Sequence, residues 1–159
     1  MNRRFVNLLA VAKDKCDSDG LRLTEKRKRV LNLLIDAQAP LSAYEIKDMF
    51  TTRYSEDVKP MTIYRALEFL TETDLVHKLN LNNKFVACSQ AKCCEHHGYS
   101  QFLICVQCGS VEEVAIDPTI SENLVKQAKN LGCDIVTPHL EVACICKHCS
   151  ATFLIYSNL

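Results

Sequence analysis

Two Cys-x-x-Cys motifs constrain what this chain can fold into more than any other feature of its sequence. The first comprises Cys105 and Cys108, and the second comprises Cys146 and Cys149. Two such pairs are typical of a closed, tetrahedral zinc site with four thiolate ligands. Gly109 directly follows Cys108, where the turn around a metal favours a residue without a Cβ atom. The sequence therefore predicts a structural zinc ion.

Two other uses of cysteine explain the sequence less well. A redox dithiol requires only one Cys-x-x-Cys pair, so the second pair would have no role. A disulfide scaffold requires an oxidising compartment, and residues 1–20 show neither the apolar core nor the cleavage site of a secretory signal. No apolar run is long enough to span a membrane. We therefore expect a cytoplasmic protein with no membrane partner.

Cysteine content and charge both divide the chain near residue 85. Nine of the ten cysteines follow that position, and only Cys16 precedes it. Residues 1–84 contain 15 Lys and Arg against 12 Asp and Glu, whereas the remainder contains 4 against 7, so the net charge of zero conceals halves of +3 and −3. The first half also holds the basic run 26–29. Such a run is often a solvated helix face, but it is compatible with nucleic-acid binding.

The N-terminal half has the pattern of four short helices. Apolar residues at helical spacing predict one helix around residues 8–12 and a second one after Thr24. Ser42 and Glu45 form a capping box that starts a third helix. Pro60 opens a fourth helix, at a position where its missing N–H has no cost.

A strand, a polar turn and a second strand follow these helices. Residues 75–79 and 84–88 have the composition of strands, and the residues between them are Asn-Leu-Asn-Asn. Compact helices followed by a hairpin predict a winged helix-turn-helix domain. The predicted fold class is therefore α+β, with this domain first.

The fourth helix is the element that would enter the major groove of DNA. Its start offers Thr62, Tyr64 and Arg65, and an arginine can donate two hydrogen bonds to guanine. Alternatively, Tyr64 packs in the core and Arg65 pairs with Glu68 one turn away. Further candidate DNA contacts are Tyr44, Lys26 and Arg27.

The C-terminal half is predicted to form a small α/β domain. Residues 102–105 and 111–116 indicate two strands joined by the metal turn, and residues 118–131 indicate a helix. Residues 133–143 indicate a third strand, and a short terminal element is expected at 153–156. Such a sheet exposes an edge and an apolar face, which a second copy of the chain could cover. We therefore expect a homodimer.

Six motifs follow one another along residues 20–155. They are Leu23-Thr24, Ser42-Ala43-Tyr44, Thr62-Ile63-Tyr64-Arg65-Ala66-Leu67, Val76-His77-Lys78, Cys105-Val106-Gln107-Cys108-Gly109 and the final Cys-x-x-Cys. In order and spacing these motifs resemble those of the ferric uptake regulator superfamily, and most of all those of its zinc uptake regulators. The resemblance implies a dimeric, zinc-responsive transcriptional repressor of zinc-uptake genes that binds operator DNA and is not an enzyme. It also implies a DNA-binding domain at 1–83, a hinge and metal-binding linker at 84–97, and a dimerisation domain at 98–159.

A second metal site is expected beside the hairpin. His77 and Cys88 lie on its two strands, and a turn at 81–84 would place them directly opposite each other. A histidine on a wing could also be an ordinary surface residue. A thiolate ligand favours Zn²⁺ over Fe²⁺ or Mn²⁺ at such a site.

The resemblance implies which residues hold this regulatory zinc. The implied ligands are His77, Cys88, His97 and Glu113, which gives two zinc ions per chain, one structural and one regulatory. His96 competes with His97 for the third position. Glu112 is adjacent to Glu113 and should point to the other face of its strand.

Two other functions compete with this interpretation. The alternative is a superfamily member that senses iron, manganese, or peroxide by thiol oxidation. The ten cysteines favour the redox form of this alternative, and Cys93 or Cys94, beside the loop ligands, could displace a histidine or act as a thiol sensor. Cys144 stands where relatives commonly have glycine, a departure from the family pattern. A zinc hydrolase would need an open metal position and a general base. The sequence contains no His-Glu-x-x-His motif that would supply them.

Overall fold

The computed structural model describes residues 8–37, 39–89, 100–136 and 139–156. It divides into two compact units, Met1–Cys94 and Glu95–Leu159. The first unit contains α1 (Leu8–Ser18), α2 (Glu25–Ala37), α3 (Ala43–Tyr54), α4 (Pro60–Glu72), β1 (Val76–Leu79) and β2 (Lys84–Ala87). The second contains β3 (Ser100–Cys105), β4 (Val111–Ala115), α5 (Pro118–Asn130), β5 (His139–Cys144) and α6 (Lys147–Tyr156). Among these residues, no helix is long and apolar enough to cross a bilayer.

The core of the first unit lies between its helices. Each helix buries residues that recur three or four positions apart, as an amphipathic helix must when it packs on one face. The fully buried side chains include Val30, Leu31 and Leu34 of α2, Ile46 and Phe50 of α3, and Ile63, Leu67 and Leu70 of α4. Helix α1 adds Leu8, Ala12 and Cys16 to the same cluster. The four predicted helices are confirmed.

Helices α3 and α4 begin where the sequence predicts. Ser42 Oγ accepts the N–H of Glu45, and the Glu45 carboxylate accepts the N–H of Ser42 at 2.6 Å, so the capping box is complete. Pro60 occupies the first turn of α4 and Lys59 is the N-cap residue. These two starts set the spacing between α3 and the helix predicted to read DNA.

The wing is an antiparallel hairpin of two strands, β1 and β2. In its register His77 pairs with Val86 and Leu79 pairs with Lys84, so residues 80–83 form the turn. Asn83 takes a left-handed conformation there (φ 51°), which asparagine tolerates better than most residues. Leu41 bridges Phe85 through two backbone hydrogen bonds of 2.9 and 2.7 Å. The hairpin is thereby joined to the segment that leads into α3.

The second unit is built on a three-stranded mixed sheet in the order β4-β3-β5. Strand β3 is antiparallel to β4 and parallel to β5, and α5 connects the two outer strands. Phe102 and Ile104 of the central strand are buried. The predicted α+β class, with a winged helix first and an α/β domain second, is confirmed.

Two predictions in the second unit are wrong in extent. The third strand begins at His139, because Gly132 turns the chain in a left-handed conformation (φ 71°) and residues 133–136 pair with no strand. The terminal element is a helix, α6, that already starts at Lys147. The position of the hinge at 84–97 stays a prediction, since residues 90–97 lie outside the described part of the chain.

Candidate metal centres and nucleic-acid interface

The four cysteines of the two motifs converge in the second unit. Their sulfur atoms all lie within 4.8 Å of one another. The Sγ atoms of Cys108 and Cys146 are 3.7 Å apart, close to the roughly 3.8 Å that separates two sulfurs on a tetrahedral zinc with Zn–S bonds of about 2.3 Å. The donor set therefore fits Zn²⁺ in a closed site.

The local backbone structure around each motif brings these sulfur atoms close together. Gly109 is left-handed (φ 71°), and its N–H donates to the carbonyl of Cys105 at 2.9 Å, which closes the turn between Cys105 and Cys108. On the other side, α6 starts directly after Cys146 and places Cys149 in its first turn. Parallel pairing of β3 with β5 brings the two halves together, because Cys105 is the register partner of Cys144.

Backbone hydrogen-bond donors lower the pKa of some thiols of this cluster, and burial raises the pKa of others. The N–H of Cys146 donates to Cys105 Sγ at 3.3 Å, and with the N–H of Cys108 it lowers the pKa of the Cys105 thiol to about 6. Burial raises the pKa of Cys149 to about 12, and the neighbouring thiols add to this effect. Burial also raises the pKa of Cys144. Cys105 is thus largely a thiolate near neutral pH before a metal binds. The N–H of Cys149 lowers the pKa of Cys146 as well, whereas Cys149 itself has to lose its proton.

His77 and Cys88 lie together on the wing. Both are buried, with 9% and 1% of their surface exposed, and their ligand atoms are within 4.8 Å of each other. The expectation that they are direct partners is wrong, because the turn at 80–83 pairs His77 with Val86. Cys88 follows two residues later on the same face, and its N–H donates to the carbonyl of Leu75 at 3.0 Å. The pair is therefore diagonal, and the interpretation of His77 as a surface residue is wrong.

Glu113 lies on β4 in the second unit, opposite Phe102 of β3. The hydroxyl of Ser100 donates a hydrogen bond of 3.2 Å to its carboxylate. Glu112 pairs with Leu103 and so faces the other side of the sheet, as expected. Ser100 was not identified from the sequence, because only the strand register brings it near Glu113.

Several predicted residues fall outside the part of the chain that the structure describes. These residues are His96, His97, Cys93 and Cys94. The choice between His96 and His97 as a ligand therefore stays a prediction.

The start of α4 and the start of α3 present candidate DNA contacts. Tyr64 is 41% exposed and Arg65 is also exposed, so the alternative that Tyr64 packs in the core is wrong. Arg65 forms no ion pair with any described residue, including Glu68. Thr62 is half-buried, and Tyr44 in the first turn of α3 is 66% exposed.

Lys26 and Arg27 are held by contacts within the first unit. Lys26 Nζ lies 2.9 Å from Glu56 Oε1. The guanidinium of Arg27 lies 3.5 Å from the ring centre of Phe69 and donates to the carbonyl of Arg22. Their predicted role in DNA binding stays a prediction.

Comparison with known proteins agrees with the order of these elements and motifs. A sequence model of the ferric uptake regulator family matches residues 18–143. The chain belongs to the ferric uptake regulator family. Members of this family are transcription regulators, which confirms the prediction that the chain is not an enzyme.

Zinc uptake regulators are among the similar family members. The zinc uptake regulation protein of Escherichia coli (strain K12) is 32% identical over 149 residues, which cover 89% of this chain and 85% of that protein. A solved zinc uptake regulator complexed with zinc and DNA superposes with a TM-score of 0.82 at 29% identity, covering 97% of this chain and 99% of the other. The holo form of XcZur gives a TM-score of 0.77 at 38% identity, over 91% and 96% of the two chains.

Proposed function

We propose that this chain is a zinc-responsive transcriptional repressor. When loaded with zinc it binds operator DNA as a homodimer in the cytoplasm and represses zinc-uptake genes. The family membership and the similarity to a regulator complexed with zinc and DNA support this function.

The observation that carries the choice of metal is the buried pair of His77 and Cys88. A thiolate is a soft ligand that suits Zn²⁺, whereas Fe²⁺ and Mn²⁺ sensors prefer nitrogen and oxygen ligands. The cysteine lies beside a histidine whose ring nitrogen is a common zinc ligand. This donor set favours zinc over iron or manganese as the signal.

We assign two zinc ions to each chain. Cys105, Cys108, Cys146 and Cys149 hold the structural ion, which stabilises the fold of the second unit. A regulatory ion is held by His77 and Cys88 of the first unit, and by Glu113 and His97, or alternatively His96, of the second. Since these ligands come from both units, a bound ion restrains the hinge at 84–97.

Exposed apolar surface in the second unit supports a homodimer. None of the residues of α5 is buried, although one face of this helix is apolar. The large exposed apolar side chains of this unit include Ile120, Leu131, Val114 and Val142. Exposed apolar side chains on a small sheet and its helix are typical of a protein interface, and a second copy could cover them through a two-fold axis.

The dimer carries two copies of α4, which reads DNA with Arg65 and Tyr64. Tyr44 and Thr62 flank these residues. Lys26 and Arg27 are further proposed contacts, for which Lys26 would have to exchange Glu56 for a phosphate. Zinc controls DNA binding if it binds the arrangement that spaces the two helices for the operator better than it binds other arrangements. A coupling free energy of about 1–3 kcal/mol would change operator affinity by roughly 5- to 150-fold.

A metal series tests this function. Purified protein with an intact structural site is titrated with Zn²⁺, Fe²⁺ or Mn²⁺, and its affinity is measured for a duplex selected from random sequence by the zinc-loaded protein. We expect tight binding with zinc at a stoichiometry of two ions per chain, and weaker binding with the other metals. Equal activation by Fe²⁺ or Mn²⁺, or one zinc with a reversible disulfide, would favour the iron, manganese or redox alternative.

A further inference from the structure

The cations of the first unit fall into two groups. Among the described residues, about half lie in ion pairs with carboxylates of the same unit, which reduce their local charge. These pairs are Lys15–Asp74, Lys26–Glu56, Lys28–Glu25, Arg29–Glu25, Arg29–Glu56, Lys47–Asp57, Arg53–Asp36 and Lys84–Glu45. The basic run on α2 that first suggests nucleic-acid binding is therefore largely paired internally.

Lys59, Arg65 and Lys78 lie around α4 and form no ion pair within the described residues, and the same holds for Lys13, Arg22 and Arg27, of which Arg27 packs on the ring of Phe69. Lys59 is the N-cap residue of α4, Arg65 lies on its exposed face, and Lys78 is the one exposed residue of β1. Lys78 and Arg65 line the same groove of about 510 Å³ between α4 and the wing. Two cations without an ion-pair partner thus lie in a groove beside the helix that is proposed to read DNA.

Lys78 directly follows the proposed zinc ligand His77. Successive side chains of a strand point to opposite faces, and here His77 is buried while Lys78 is exposed. Whatever fixes the position of His77 therefore also fixes the strand from which Lys78 projects.

We propose that Lys78 contacts a backbone phosphate of operator DNA and that zinc binding at His77 positions it. The occupant of the groove near Arg65 is the sugar-phosphate backbone of one DNA strand, since its charge complements that of Lys78 and Arg65. Glu68 and Glu72 line the same groove further along α4 and repel phosphate, so the strand approaches at the Arg65 end. This inference rests on the proposed function and names the residue through which zinc acts on DNA.

The salt dependence of DNA binding tests the contact. For zinc-loaded protein, Lys78→Gln should make the slope of log K against log salt shallower by about 0.9, the value expected for one lost phosphate contact. Affinities for the selected duplex and for a random duplex should fall by the same factor, because phosphates carry no sequence information. Lys78→Arg should restore the slope. The control is Lys47→Gln, which removes a cation of the same unit that is already paired with Asp57.

The same variants test the role of zinc. When the structural zinc is retained and the regulatory zinc is removed, Lys78→Gln should change the salt slope by much less than 0.9. Fully loaded with zinc, the Lys78→Gln protein should hold as much zinc as the unsubstituted protein. An unchanged slope in the zinc-loaded state would overturn the phosphate contact. An equal change in both states would overturn the positioning by zinc. If the unsubstituted protein bound DNA without regard to zinc, the proposed function itself would fail.

Discussion

Lys84 of the wing forms an ion pair with Glu45 of α3, with Nζ 3.2 and 3.3 Å from the two carboxylate oxygens. Glu45 also accepts the N–H of Ser42 in the capping box. One carboxylate therefore both starts α3 and joins that helix to the hairpin that carries His77. The segment that presents Tyr44 is fixed to the wing by this pair and by the bridge between Leu41 and Phe85.

Removal of the cap at Ser42 should destabilise the first unit. Ser42→Ala leaves the N–H of Glu45 without its acceptor and should lower the free energy of unfolding by about 1 kcal/mol. Ser42→Gly should cost only a few tenths of that, because glycine suits the N-cap position almost as well. Urea unfolding followed by circular dichroism measures both. Equal stability of all three proteins would show that the cap contributes nothing.

The contribution of Glu45 to the stability of the first unit should be lost at acidic pH. The backbone N–H of Ser42 lowers the pKa of Glu45, with further contributions from the Ser42 and Lys84 side chains. A carboxyl whose folded pKa is depressed stabilises the fold above its unfolded pKa, and this contribution is lost as the pH falls through the folded value. Stability should therefore fall less steeply between about pH 5 and pH 3 in Glu45→Gln. Glutamine keeps the capping box but cannot titrate. Parallel curves for the two proteins would contradict this assignment.

The four-cysteine cluster should be required for the second unit. Cys149→Ser removes one of four converging ligands, so the chain should lose its structural zinc and its ability to dimerise. Cys133→Ser is the matched control, because Cys133 is exposed and outside the cluster. Metal analysis and sedimentation are the measurements. A zinc-free Cys149→Ser protein that still dimerised would show that the metal is not structural.

Zinc uptake by this cluster should depend on pH. Cys105 with its pKa of about 6 is already largely a thiolate at neutral pH, whereas Cys149, with its pKa raised to about 12, must release a proton. Zinc affinity should therefore rise by about tenfold per pH unit for each displaced proton. Competition with a chelator between pH 6.5 and 8 (roughly the range around neutrality) measures this. Affinity that did not change with pH would mean that all four thiols are already ionised.

Local signals in the sequence were sufficient for most of the first unit. The capping box of Ser42 and the proline at the start of α4 act through the nearest backbone groups, so they determine helix starts without reference to the rest of the chain. The two Cys-x-x-Cys pairs likewise predicted that the four cysteines converge, because a closed zinc site needs four ligands around one ion.

Features set by partners distant in sequence were not predictable in the same way. The register of the hairpin depends on which residues take the turn, and a shift of that turn makes His77 and Cys88 diagonal neighbours. Lys26 looked available for DNA, but Glu56 lies beside it only after α2 packs against the segment before α4. Sequence pattern shows which residues carry charge, whereas the fold decides which charges are neutralised.

The effect of Cys88→Ser on zinc-dependent DNA binding tests the central claim most directly. The quantity to measure is the ratio of operator Kd without and with the regulatory zinc, in protein that keeps its structural zinc. Cys133→Ser serves as the thiol control. The unsubstituted and control proteins should show a ratio of roughly 5 to 150, whereas Cys88→Ser should hold one zinc per chain and show a ratio near one. A Cys88→Ser protein whose operator binding remained as zinc-dependent as that of the unsubstituted chain would contradict the account.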